Sequence, residues 1–484
     1  MNKFFDQWKK VNRGLLQPVR DLSVKRRLKV YLVGGTLRDI ILKKDKPNPD
    51  FDFCLKSSAI NFARQVAAEI KAGFVVLDQA HGCARVVKKA PGKVITLDFS
   101  DFRAKTLAED LLSRDFTINS MAAGLDEILK GTGFDEALID LYNGRQDLSK
   151  GLIRLVHRKS FDDDPLRIMR AFSLSAIFGF KIDPETYRQI SLKRNKLNTV
   201  SSERVRDELF KILSSPRGYD IVTQLDKYNI LELIFPEIRK MKKNNKRSFS
   251  RLNVWGHTML TFKNTELIIN SFKRNSGPGE YLSQDISSGR SRAELLKLAA
   301  LLHDVGKPQT FRIEKGKVQF HGHERLGAGL TGAIAVRLKL SNEELRILKR
   351  IVFLHLRPGY LVANSLLTAK AKFRFFRDSG DDAGAVLILA LADERSTKNY
   401  VLLDKIRQKY EKLIPRLLRE YFVKHKDVPA VRLADGNDVM RRFRLLPSPL
   451  IGKILRQLEE LQAIGRIKTK KAALKAAEAI IKNI

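Results

Sequence analysis

The run YLVGGTLRD, Tyr31 to Asp39, decides how the first part of this chain folds. Its apolar start followed by Gly34-Gly35 predicts a strand that ends in a tight turn into a helix. At such a turn, exposed backbone N–H groups and the Arg38 guanidinium are placed to hold a triphosphate. A Gly-Gly turn alone is common, so its meaning depends on the run that follows it.

The run PDFDFCL, Pro49 to Leu55, supplies the second half of the pattern. Residues two apart on a strand face the same side, so Asp50 and Asp52 should point together. Two carboxylates beside a phosphate cradle are what Mg²⁺-assisted phosphoryl or nucleotidyl transfer requires. The two runs in this order favour a transfer enzyme in which Asp50 and Asp52 are catalytic and hold Mg²⁺. The predicted phosphate-side residues are Gly34, Gly35, Arg38 and Asp39.

The charge of the chain predicts a polyanionic partner. Its 484 residues allow several domains, and 91 Lys plus Arg stand against 54 Asp plus Glu, a net charge of +37. This excess is larger than solubility requires and favours nucleic acid over membrane. Part of it is local, because residues 401–484 carry 20 basic and 9 acidic residues. Salt-dependent binding to phosphates is the expected behaviour.

The sequence predicts neither membrane insertion nor secretion. No stretch approaches the roughly 20 apolar residues of a membrane span, and the N-terminus lacks the apolar core of a secretory signal. The N-terminal residues predict an amphipathic helix instead. Two cysteines, Cys54 and Cys83, indicate no disulfide framework and fit a reducing, cytoplasmic location.

The expected fold class is α+β, because strand and helix patterns alternate only in the first ~150 residues. The predicted strands there are KVYLVGG, FDFCL, GFVVLD, CARVVKK and VITLDF, and the predicted helices are INFARQVAAEIKA and LAEDLLSRD. From Arg158 onward the patterns are helical, with DPLRIMRAFSLSAIF, SERVRDELFKILSS and GYDIVTQLDKYNILELI as candidates. The Gly- and Ser-rich insert NSGPGEYLSQDISSGRSR predicts a mobile loop.

Four domains are expected along the chain. A basic, polar break at KMKKNNKRS, Lys240 to Ser248, marks the main boundary. The expected domains are a catalytic head over 1–150, a helical neck and body over 151–240, a second helical block over 250–400 and a basic helical tail over 401–484.

The run EDLLSRDFTINSMA, Glu109 to Ala122, carries polar residues just after a predicted helix. Arg114 and Asp115 are candidates for contacting the ribose and phosphates of a nucleotide, with Asn119 orienting them. A salt-bridged helix end explains the same residues equally well.

The run SFDDDPLRIMRAF, Ser160 to Phe172, predicts the start of a helix with acidic residues in its first turn. Asp164 and Arg167 are three apart and would share one helical face, with Arg170 a turn further on. A carboxylate accepts from an exocyclic amine, and a guanidinium donates to a ring nitrogen or carbonyl oxygen. Cytosine and adenine both present an exocyclic amine beside a ring acceptor on their pairing edge. Asp164 and Arg167 could therefore select CTP and ATP without a template.

Together, GGTLRD, DFDF, EDLLSRDFTINSMA and DDPLRIMRAF, in this order and near these spacings, make residues 28–240 resemble the class II tRNA nucleotidyltransferase and poly(A) polymerase family. The resemblance implies a head with a nucleotidyltransferase mixed sheet, followed by all-helical neck and body domains. It implies Mg²⁺ as cofactor, CTP and ATP as substrates, and a tRNA or other RNA 3′ end as acceptor. SSERVRDELFKIL, Ser201 to Leu213, resembles the family's next helix.

By matching position, the resemblance implies that Gly35 and Arg38 touch the triphosphate. It implies that Asp50 and Asp52 hold Mg²⁺ and activate the RNA 3′-hydroxyl. The residues that it implies for the incoming nucleotide are Arg114, Asp164, Arg167 and Arg170.

Four departures from the family pattern bear on which nucleotides are added. Ser113 stands where the family usually has the first of two arginines, Asp163 replaces a glutamate, and Ser173 replaces a frequent third arginine. Only VITLDFSDFRAKT separates the middle strands from EDLLSRD, so the flexible loop of full CCA-adding members is shortened. In this family such shortening resembles enzymes that add part of the triplet, which leaves CC-only and A-only addition both open.

A block of histidines marks the second helical region. Five of the chain's 8 histidines, together with two aspartates, fall in NVWGHT, LLHDVGKP, FHGHERLGAG, FLHLRP and LADERS. The pattern resembles the HD phosphohydrolase superfamily, which implies His257, His303, Asp304 and Asp393 as ligands of a further divalent metal. Such a site could trim cyclic or terminal phosphates from RNA ends. The alternative is that the block is only a helical RNA-binding body.

The tail run LADGNDVMRRFRLLPSPLIGKILRQLEELQAIGRIKTKKAAL resembles the C-terminal region of HD-bearing members and is expected to hold the tRNA backbone. Two other functions compete with CCA, CC or A addition. One is open-ended poly(A) synthesis, which ranks second because RVVKKAPGKV lacks the arginine-rich, aromatic run of such polymerases. The other is a phosphohydrolase or RNA-binding protein with an inactive head, against which the intact Asp50 and Asp52 argue. The sequence does not indicate an oligomeric state.

Overall fold

The computed structural model describes residues 2–44, 48–130, 133–243, 253–363, 367–397, 401–424 and 432–482. The chain forms two compact units, Met1–Lys211 and Ile212–Ile484. Of the predicted break at Lys240 to Ser248, residues 244–248 lie outside the described part, as do 425–431 and 483–484 of the predicted tail. No described helix is long and apolar enough to cross a membrane.

A mixed sheet of seven strands forms the centre of the first unit, in the order β3-β4-β5-β2-β1-β6-β7. The strands are β1 (Val30–Val33), β2 (Asp50–Leu55), β3 (Gly73–Asp78), β4 (Cys83–Ala90), β5 (Lys93–Asp101), β6 (Ala122–Gly124) and β7 (Leu138–Ile139). The β2–β5 pair is parallel and the other pairs are antiparallel. The predicted α+β class and all five predicted strands are confirmed, and β6 and β7 extend the sheet beside β1.

Some of the helices that begin in the first unit pack directly on this sheet, and others pack on one another. The helices that begin in this unit are α1 (Asn2–Lys25), α2 (Gly35–Ile41), α3 (Ala59–Glu69), α4 (Leu107–Leu112), α5 (Leu125–Lys130), α6 (Phe134–Ala137), α7 (Gly144–Lys150), α8 (Ser160–Asp163), α9 (Arg167–Phe178), α10 (Pro184–Lys193) and α11 (Ser202–Ser214). Strands β8 (Leu152–Ile153) and β9 (Lys181–Ile182) form a separate parallel pair. The 3₁₀ turns Thr117–Asn119 and Arg194–Thr199 complete the unit.

The expectation that Asp164 and Arg167 share one helical face is wrong. α8 ends at Asp163 and α9 begins at Arg167, with Asp164 extended between them at φ −145° and ψ 101°. The cause is Pro165, because a residue that precedes proline is sterically disfavoured in the helical region. The two side chains therefore reach the site from different backbone elements.

The packing of β2 fixes the face on which its aspartates lie. Phe51 and Phe53 are each 1% exposed, and the Phe53 ring stacks on Phe99 of β5 with centroids 4.9 Å apart. Burying each ring stabilises the fold by roughly 1.5–3 kcal/mol, and a one-residue slip would bring both rings into solvent. Alternation along the strand then places Asp50 and Asp52 together on the opposite face.

The second unit is mainly helical. Its helices are α12 (Gly218–Lys227), α13 (Leu231–Ile234), α14 (Ile238–Lys243), α15 (Val254–Ser271), α16 (Gly277–Ser283), α17 (Arg292–Leu302), α18 (Lys307–Thr310), α19 (His323–Arg337), α20 (Asn342–Leu354), α21 (Arg357–Ala363), α22 (Ala369–Ser379), α23 (Ala383–Ser396), α24 (Val401–Lys424), α25 (Gly436–Phe443), α26 (Pro449–Ala463) and α27 (Lys470–Lys482). Two short hairpins pair β10 (Asp285–Ser287) with β11 (Arg290–Ser291) and β12 (Arg312–Glu314) with β13 (Lys317–Gln319).

The insert NSGPGEYLSQDISSGRSR is not the predicted loop, because it contains α16 and the β10–β11 hairpin. Ser276 caps α16 by accepting a hydrogen bond from the Gly279 N–H at 3.2 Å. Tyr281 anchors the segment, since its ring packs edge-on against Phe422 and its hydroxyl donates to the Asp381 carbonyl at 2.9 Å. A partly buried aromatic residue thus anchors a stretch whose composition resembles a loop.

The tail helices α25 to α27 have a small apolar core of their own. Its buried members are Ala434, Val439, Ile451, Ile454, Leu458, Ile467, Ala473 and Ala477. Glu460 of α26 attaches this core to α22, because its carboxylate accepts from Arg374 at 2.7 and 2.8 Å and from Arg377 at 3.0 Å. Apolar contacts therefore hold the tail helices together, and ion pairs attach them to α22.

Candidate active site and metal cluster

Three carboxylates lie on one face of the β2–β5 pair. Asp50 and Asp52 come from β2, and the parallel register sets Asp98 of β5 directly beside Asp52. Arg85 of β4 donates to both Asp98 oxygens at 2.7 Å, and the Thr96 hydroxyl donates to Asp50. Sequence reasoning placed VITLDF on a strand but overlooked its acid. The alternation along β5 indicates the face on which Asp98 lies. Only the strand order shows that this residue is a neighbour of Asp52.

The turn after β1 leaves the space beside Asp52 open. Gly34 has φ 69° and ψ −133°, a conformation that favours glycine. A Cβ on Gly34 would lie 3.3 Å from Asp52 Oδ2 and 3.5 Å from Arg114 Nη1. The absence of a side chain thus leaves room for a carboxylate and a guanidinium at the same turn. The guanidinium there is that of Arg114, whereas the opening sequence runs predicted Arg38.

Arg114 is held in place from its own helix end. Its guanidinium pairs with the buried Asp110 at 3.0 Å, and charge attraction to Asp110 and Asp52 raises the pKa of Arg114 in spite of burial. Cys54 lies close by, and burial raises its pKa to about 12, so the thiol adds no charge. Arg114 is therefore a fixed cation next to the aspartates.

A chain of hydrogen bonds links α2 to α9. Arg38 pairs with Asp39 at 2.9 Å and donates to Asn119 Oδ1 at 2.6 Å. Asn119 donates to Asp115 Oδ1 at 3.1 Å, and Arg170 reaches Asp115 Oδ2 at 2.7 Å. Burial alone would raise the pKa of Asp115, but Arg170 and Asn119 outweigh it and hold that pKa below its ordinary value. The structure therefore brings five of the predicted nucleotide-binding residues into one network.

Arg38 and Arg167 are less exposed than ligand-binding arginines are expected to be. Arg38 is 8% exposed and lies over the Phe178 ring at 4.5 Å. Arg167 is 6% exposed and donates to the carbonyl oxygens of Ser113 at 2.8 Å and Arg114 at 3.1 Å. In this state Arg167 holds the backbone at Ser113 and Arg114, and Arg38 holds the Asn119 side chain.

The remaining predicted residues have partners that the sequence did not indicate. Asp164 accepts from Arg204 of α11 at 2.9 Å instead of facing Arg167. Ser173, in place of a family arginine, donates to the buried Glu208. Asp163 pairs with His157 at 3.2 Å. The Asp164 and Ser173 contacts join residues 40 and 35 positions apart, so no local pattern predicts them. Asp163 and His157 are only six residues apart.

In the second unit, the four predicted HD residues lie together. His257 Nε2 lies 2.7 Å from Asp393 Oδ1, and His303 Nε2 lies 3.3 Å from Asp304 Oδ2. His257, His303 and Asp304 offer ligand atoms within 4.8 Å of one another, which is the spacing of a metal-binding group. Burial lowers the pKa of His303, but Asp304 and Asp393 more than offset this and raise it to about 10.

Two more histidines border the same aspartate. His323 begins α19 and His355 follows α20, and with Asp304 they form a second group with ligand atoms within 4.8 Å. Burial, with a further effect from His303, lowers the pKa of His355 to about 3. The sequence placed both histidines in the block without assigning them to a metal.

Comparison with known families assigns three parts of the chain. The model described as "Poly A polymerase head domain" matches residues 30–154. The model described as "Probable RNA and SrmB- binding site of polymerase A" matches residues 179–242, and the HD domain model matches residues 254–396. The matches to the head and HD models cover both clusters of acidic residues described above.

Similar proteins match along most of the chain. The A-adding tRNA nucleotidyltransferase of Deinococcus radiodurans is 30% identical over 449 residues, which are 91% of this chain and 93% of that protein. The CC-adding tRNA nucleotidyltransferase of Synechocystis sp. is 29% identical over 93% of this chain and 94% of that protein. The Multifunctional CCA protein of Legionella pneumophila is 29% identical but covers 65% of this chain and 72% of that protein.

Solved structures share the fold. The Thermotoga maritima CCA-adding enzyme complexed with tRNA has a TM-score of 0.62 at 19% identity, with 98% of this chain and 96% of that chain covered. The expected resemblance is thus confirmed by sequence and by fold. The chain belongs to the family of tRNA nucleotidyltransferases that carry a poly(A) polymerase head domain.

Proposed function

We propose that this protein adds C, A or both to the 3′ end of tRNA by template-independent, Mg²⁺-dependent nucleotidyl transfer. The observation that carries the proposal is the meeting of Asp50 and Asp52 with the side-chain-free turn at Gly34 and the fixed cation Arg114. This arrangement combines activation of the acceptor hydroxyl with triphosphate binding where β1 ends and β2 begins. CTP, ATP and a tRNA end are the partners that it requires.

The donor set of the head fits Mg²⁺. Asp50, Asp52 and Asp98 offer carboxylate oxygens, which this hard cation prefers. A bound Mg²⁺ supplies neutralisation of charge on the attacking and leaving oxygens. Asp50 and Asp52 then face the RNA 3′-hydroxyl, and Arg114 faces the phosphates across the Gly34 turn.

Base selection falls to the residues between α8 and α9. Asp164 accepts from the exocyclic amine shared by cytosine and adenine, and Arg167 donates to the ring acceptor beside it. In the described state these side chains are bonded to Arg204 and to the carbonyls of Ser113 and Arg114. Nucleotide binding must therefore exchange these hydrogen bonds. Arg38, Asp39, Asp115, Asn119 and Arg170 support the pocket through their network.

Partial addition is favoured over complete CCA addition. Of the relatives named above, the A-adding and CC-adding enzymes match over more than 90% of this chain, whereas the multifunctional CCA protein matches over 65%. The shortened connection VITLDFSDFRAKT favours the same conclusion. CC-only and A-only addition are both consistent with these observations, and the tRNA terminus that the protein accepts will separate them. We place the reaction in the cytoplasm, where Cys54 and Cys83 would stay reduced.

The test supplies purified full-length protein with four RNAs and one nucleoside triphosphate at a time in Mg²⁺. The RNAs are a tRNA lacking CCA, the same tRNA ending in C, the same tRNA ending in CC, and an unrelated RNA. Two C residues added only to the first define a CC-adding enzyme, and one A added only to the third defines an A-adding enzyme. Long A tails on any RNA would support poly(A) synthesis instead, and no incorporation would contradict transfer altogether.

The buried cluster around Asp304 supports a second candidate activity, metal-dependent hydrolysis of phosphate esters at RNA ends. Its ligand atoms are buried among helices of the second unit. Ordinary salt bridges lie mostly at the surface, so this burial favours a metal site. The test measures the opening of a 2′,3′-cyclic nucleotide to the nucleoside monophosphate in Mn²⁺ by the wild type and by His303→Ala. Ring opening that persists in the variant would show that the cluster is not responsible.

A further inference from the structure

We propose that the second unit binds a free nucleoside polyphosphate, such as ATP, in the cavity between α19 and α20. The base of this nucleotide stacks on Phe353, and its phosphates bind Arg325 and Lys349. The cavity belongs to the second unit, so its ligand does not depend on nucleotidyl transfer by the head.

The cavity has the size of a small-molecule site. Its volume is about 540 Å³, and pockets for small ligands typically measure roughly 300–1,000 Å³. Arg325 and Gly329 of α19 line one side, and Lys349 and Phe353 of α20 line the other. The wall is open at Gly329, because a Cβ there would meet no atom within 4 Å. One nucleotide therefore has room between the two helices.

Positive charge dominates the wall of this cavity. The lining cations are Arg325, Lys349, Arg350 and Arg357, and with one lining carboxylate, Asp378, these four leave a net charge of +3. A nucleoside polyphosphate carries several negative charges, whereas each nucleotide of an RNA strand carries a single one. The charge of the cavity therefore matches a polyphosphate better than it matches a strand.

The cations differ in how they are held. Arg357 Nη1 lies 3.5 Å from Asp378 Oδ2. Within the described ranges of the chain, Arg325 and Lys349 have no acidic partner, and both are exposed. The Lys349 stem still packs on α19, since its Cδ lies 3.1 Å from the place of a Cβ on Gly332. Two cations that no acid neutralises are thus directed at the cavity, where they attract an anion.

The ring of Phe353 indicates that the anion carries a base. Phe353 is 41% exposed, and a single exposed apolar side chain is ordinary on a protein surface. This ring, however, lines the same cavity as the cations. Proteins that bind nucleotides of single strands combine these two features, because bases stack on rings while cations bind phosphates. An inorganic anion or an acidic peptide would use the cations and leave the ring without a partner.

The cavity lies on the side of α19 that faces away from the histidine cluster. His323 belongs to that cluster, and a Cβ on Gly327, one turn later, would lie 3.5 Å from the His303 carbonyl oxygen. Arg325 and Gly329 each follow two residues after these positions, which is a rotation of about 200° around a helix. The cavity is therefore a separate site and not the entrance to the cluster.

The test uses full-length protein and ATP that carries a photoreactive azide on its adenine, in EDTA and at low salt. EDTA prevents transfer in the head and removes metal from the histidine cluster. After irradiation, the labelled residues are mapped by mass spectrometry. We expect labels between Lys349 and Arg357, whatever is labelled in the head.

Two variants and one control locate the site. Phe353→Ala, and separately Arg325→Gln combined with Lys349→Gln, should weaken labelling of this segment about tenfold, as expected for the loss of a base stack or of phosphate contacts. Arg416→Gln, which removes an exposed arginine of α24 outside the cavity, should leave the labelling unchanged. Circular dichroism checks that each variant is folded. If Phe353→Ala unfolds, the variant with the two exposed cations replaced decides.

Unlabelled ATP should prevent the labelling at a lower concentration than a short single-stranded RNA does. The reverse order would show that the cavity takes an RNA strand and would overturn the assignment to a free nucleotide. The proposal would also be overturned if no label fell between Lys349 and Arg357, or if the cavity variants were labelled there as strongly as the wild type.

Discussion

The carboxylates of the head and the carboxylate of Asp304 differ in exposure and in the partners that surround them. In the head, the Asp98 side chain is 24% exposed and shares its face with the exposed Asp50, and the partners are an arginine and a threonine. In the second unit, the Asp304 side chain is 1% exposed and is surrounded by histidines and Lys307. The first site is open and contains oxygen donors, whereas the second is closed and contains nitrogen as well.

This difference indicates different uses of metal. An open oxygen site suits Mg²⁺, which keeps several waters and is usually bound together with substrate phosphates. A closed site with imidazole ligands suits a resident ion that contributes to the fold. The head should therefore lose activity without losing stability when its carboxylates are removed, and the second unit should lose stability when its metal is removed.

The largest expected effect is on transfer. Replacing Asp50 and Asp52 by alanine together should lower nucleotide incorporation by about 10³-fold or more, because charge on the reacting oxygens is no longer balanced. Incorporation of a labelled nucleotide into tRNA measures it. Asp135→Ala, which removes a surface acid of the head, is the matched control and should leave the rate unchanged. A double variant that retains a tenth of the rate would disprove the assignment.

Removing metal from the second unit should come next in size. An ion present at 100 times its Kd stabilises the folded state by about 2.7 kcal/mol, so chelation should lower the Tm of the second unit by roughly 5 °C in the wild type. Differential scanning calorimetry measures the shift. His303→Gln protein, with its ligand set broken, should show little or no shift on chelation. Equal shifts in both proteins would mean that the chelator acts elsewhere.

Breaking the hydrogen-bond network around Asp115 should have a somewhat smaller effect on stability than removing the metal. Arg170→Met leaves the buried Asp115 without its cation, although Asn119 still donates to it, and should destabilise the head by about 2 kcal/mol. Urea unfolding followed by circular dichroism measures it. Arg188→Met, which breaks a surface pair with Glu185, should cost under ~1 kcal/mol. Similar losses of stability in the two variants would show that the buried network stabilises the head no more than a surface ion pair does.

Much of the head could be predicted from sequence because its signals are local. Alternation along β2 and the glycines after β1 specify a strand, a turn and the face of Asp50 and Asp52. Asp98 was missed because its place beside Asp52 depends on β5 pairing with β2, which lies some forty residues away along the chain. Asp164 was misplaced because it was assigned to the same helix as Arg167, whereas that helix begins at Arg167 and Asp164 precedes it.

The second unit shows the same division. The residues His257, His303, Asp304 and Asp393 follow a recognisable pattern, and the structure brings them together. The position of His323 beside Asp304 depends on close packing at Gly306, and the order of the insert around Tyr281 depends on a ring from α24. Neither contact has a signature in the nearby sequence. Sequence patterns therefore predict elements well and long-range partners poorly.

The smallest expected effect is at the tail. The hydrogen bond from Arg374 lowers the pKa of Glu460 to about 2, against about 4.3 for an unperturbed glutamate. The stabilisation that this shift supplies is complete above the unperturbed pKa and is lost as the pH falls towards 2. Glu460→Gln should cost about 1 kcal/mol at neutral pH and should weaken this acid dependence.

Limited proteolysis of the tail between pH 7 and pH 3 measures the effect of Glu460. Glu478→Gln, which removes an exposed pair with Lys482 in the same region, is the control and should behave as the wild type. A tail equally protected in both variants would show that its apolar contacts alone hold it to α22.

The most direct test of the central claim is the length of the product that the intact protein makes on tRNA. Protein, tRNA lacking CCA or ending in CC, CTP and ATP are incubated in Mg²⁺, and the products are resolved to single nucleotides. We expect extension to stop after two C residues on the first tRNA or after one A on the second. Long heterogeneous A tails, or no extension of either tRNA, would contradict it.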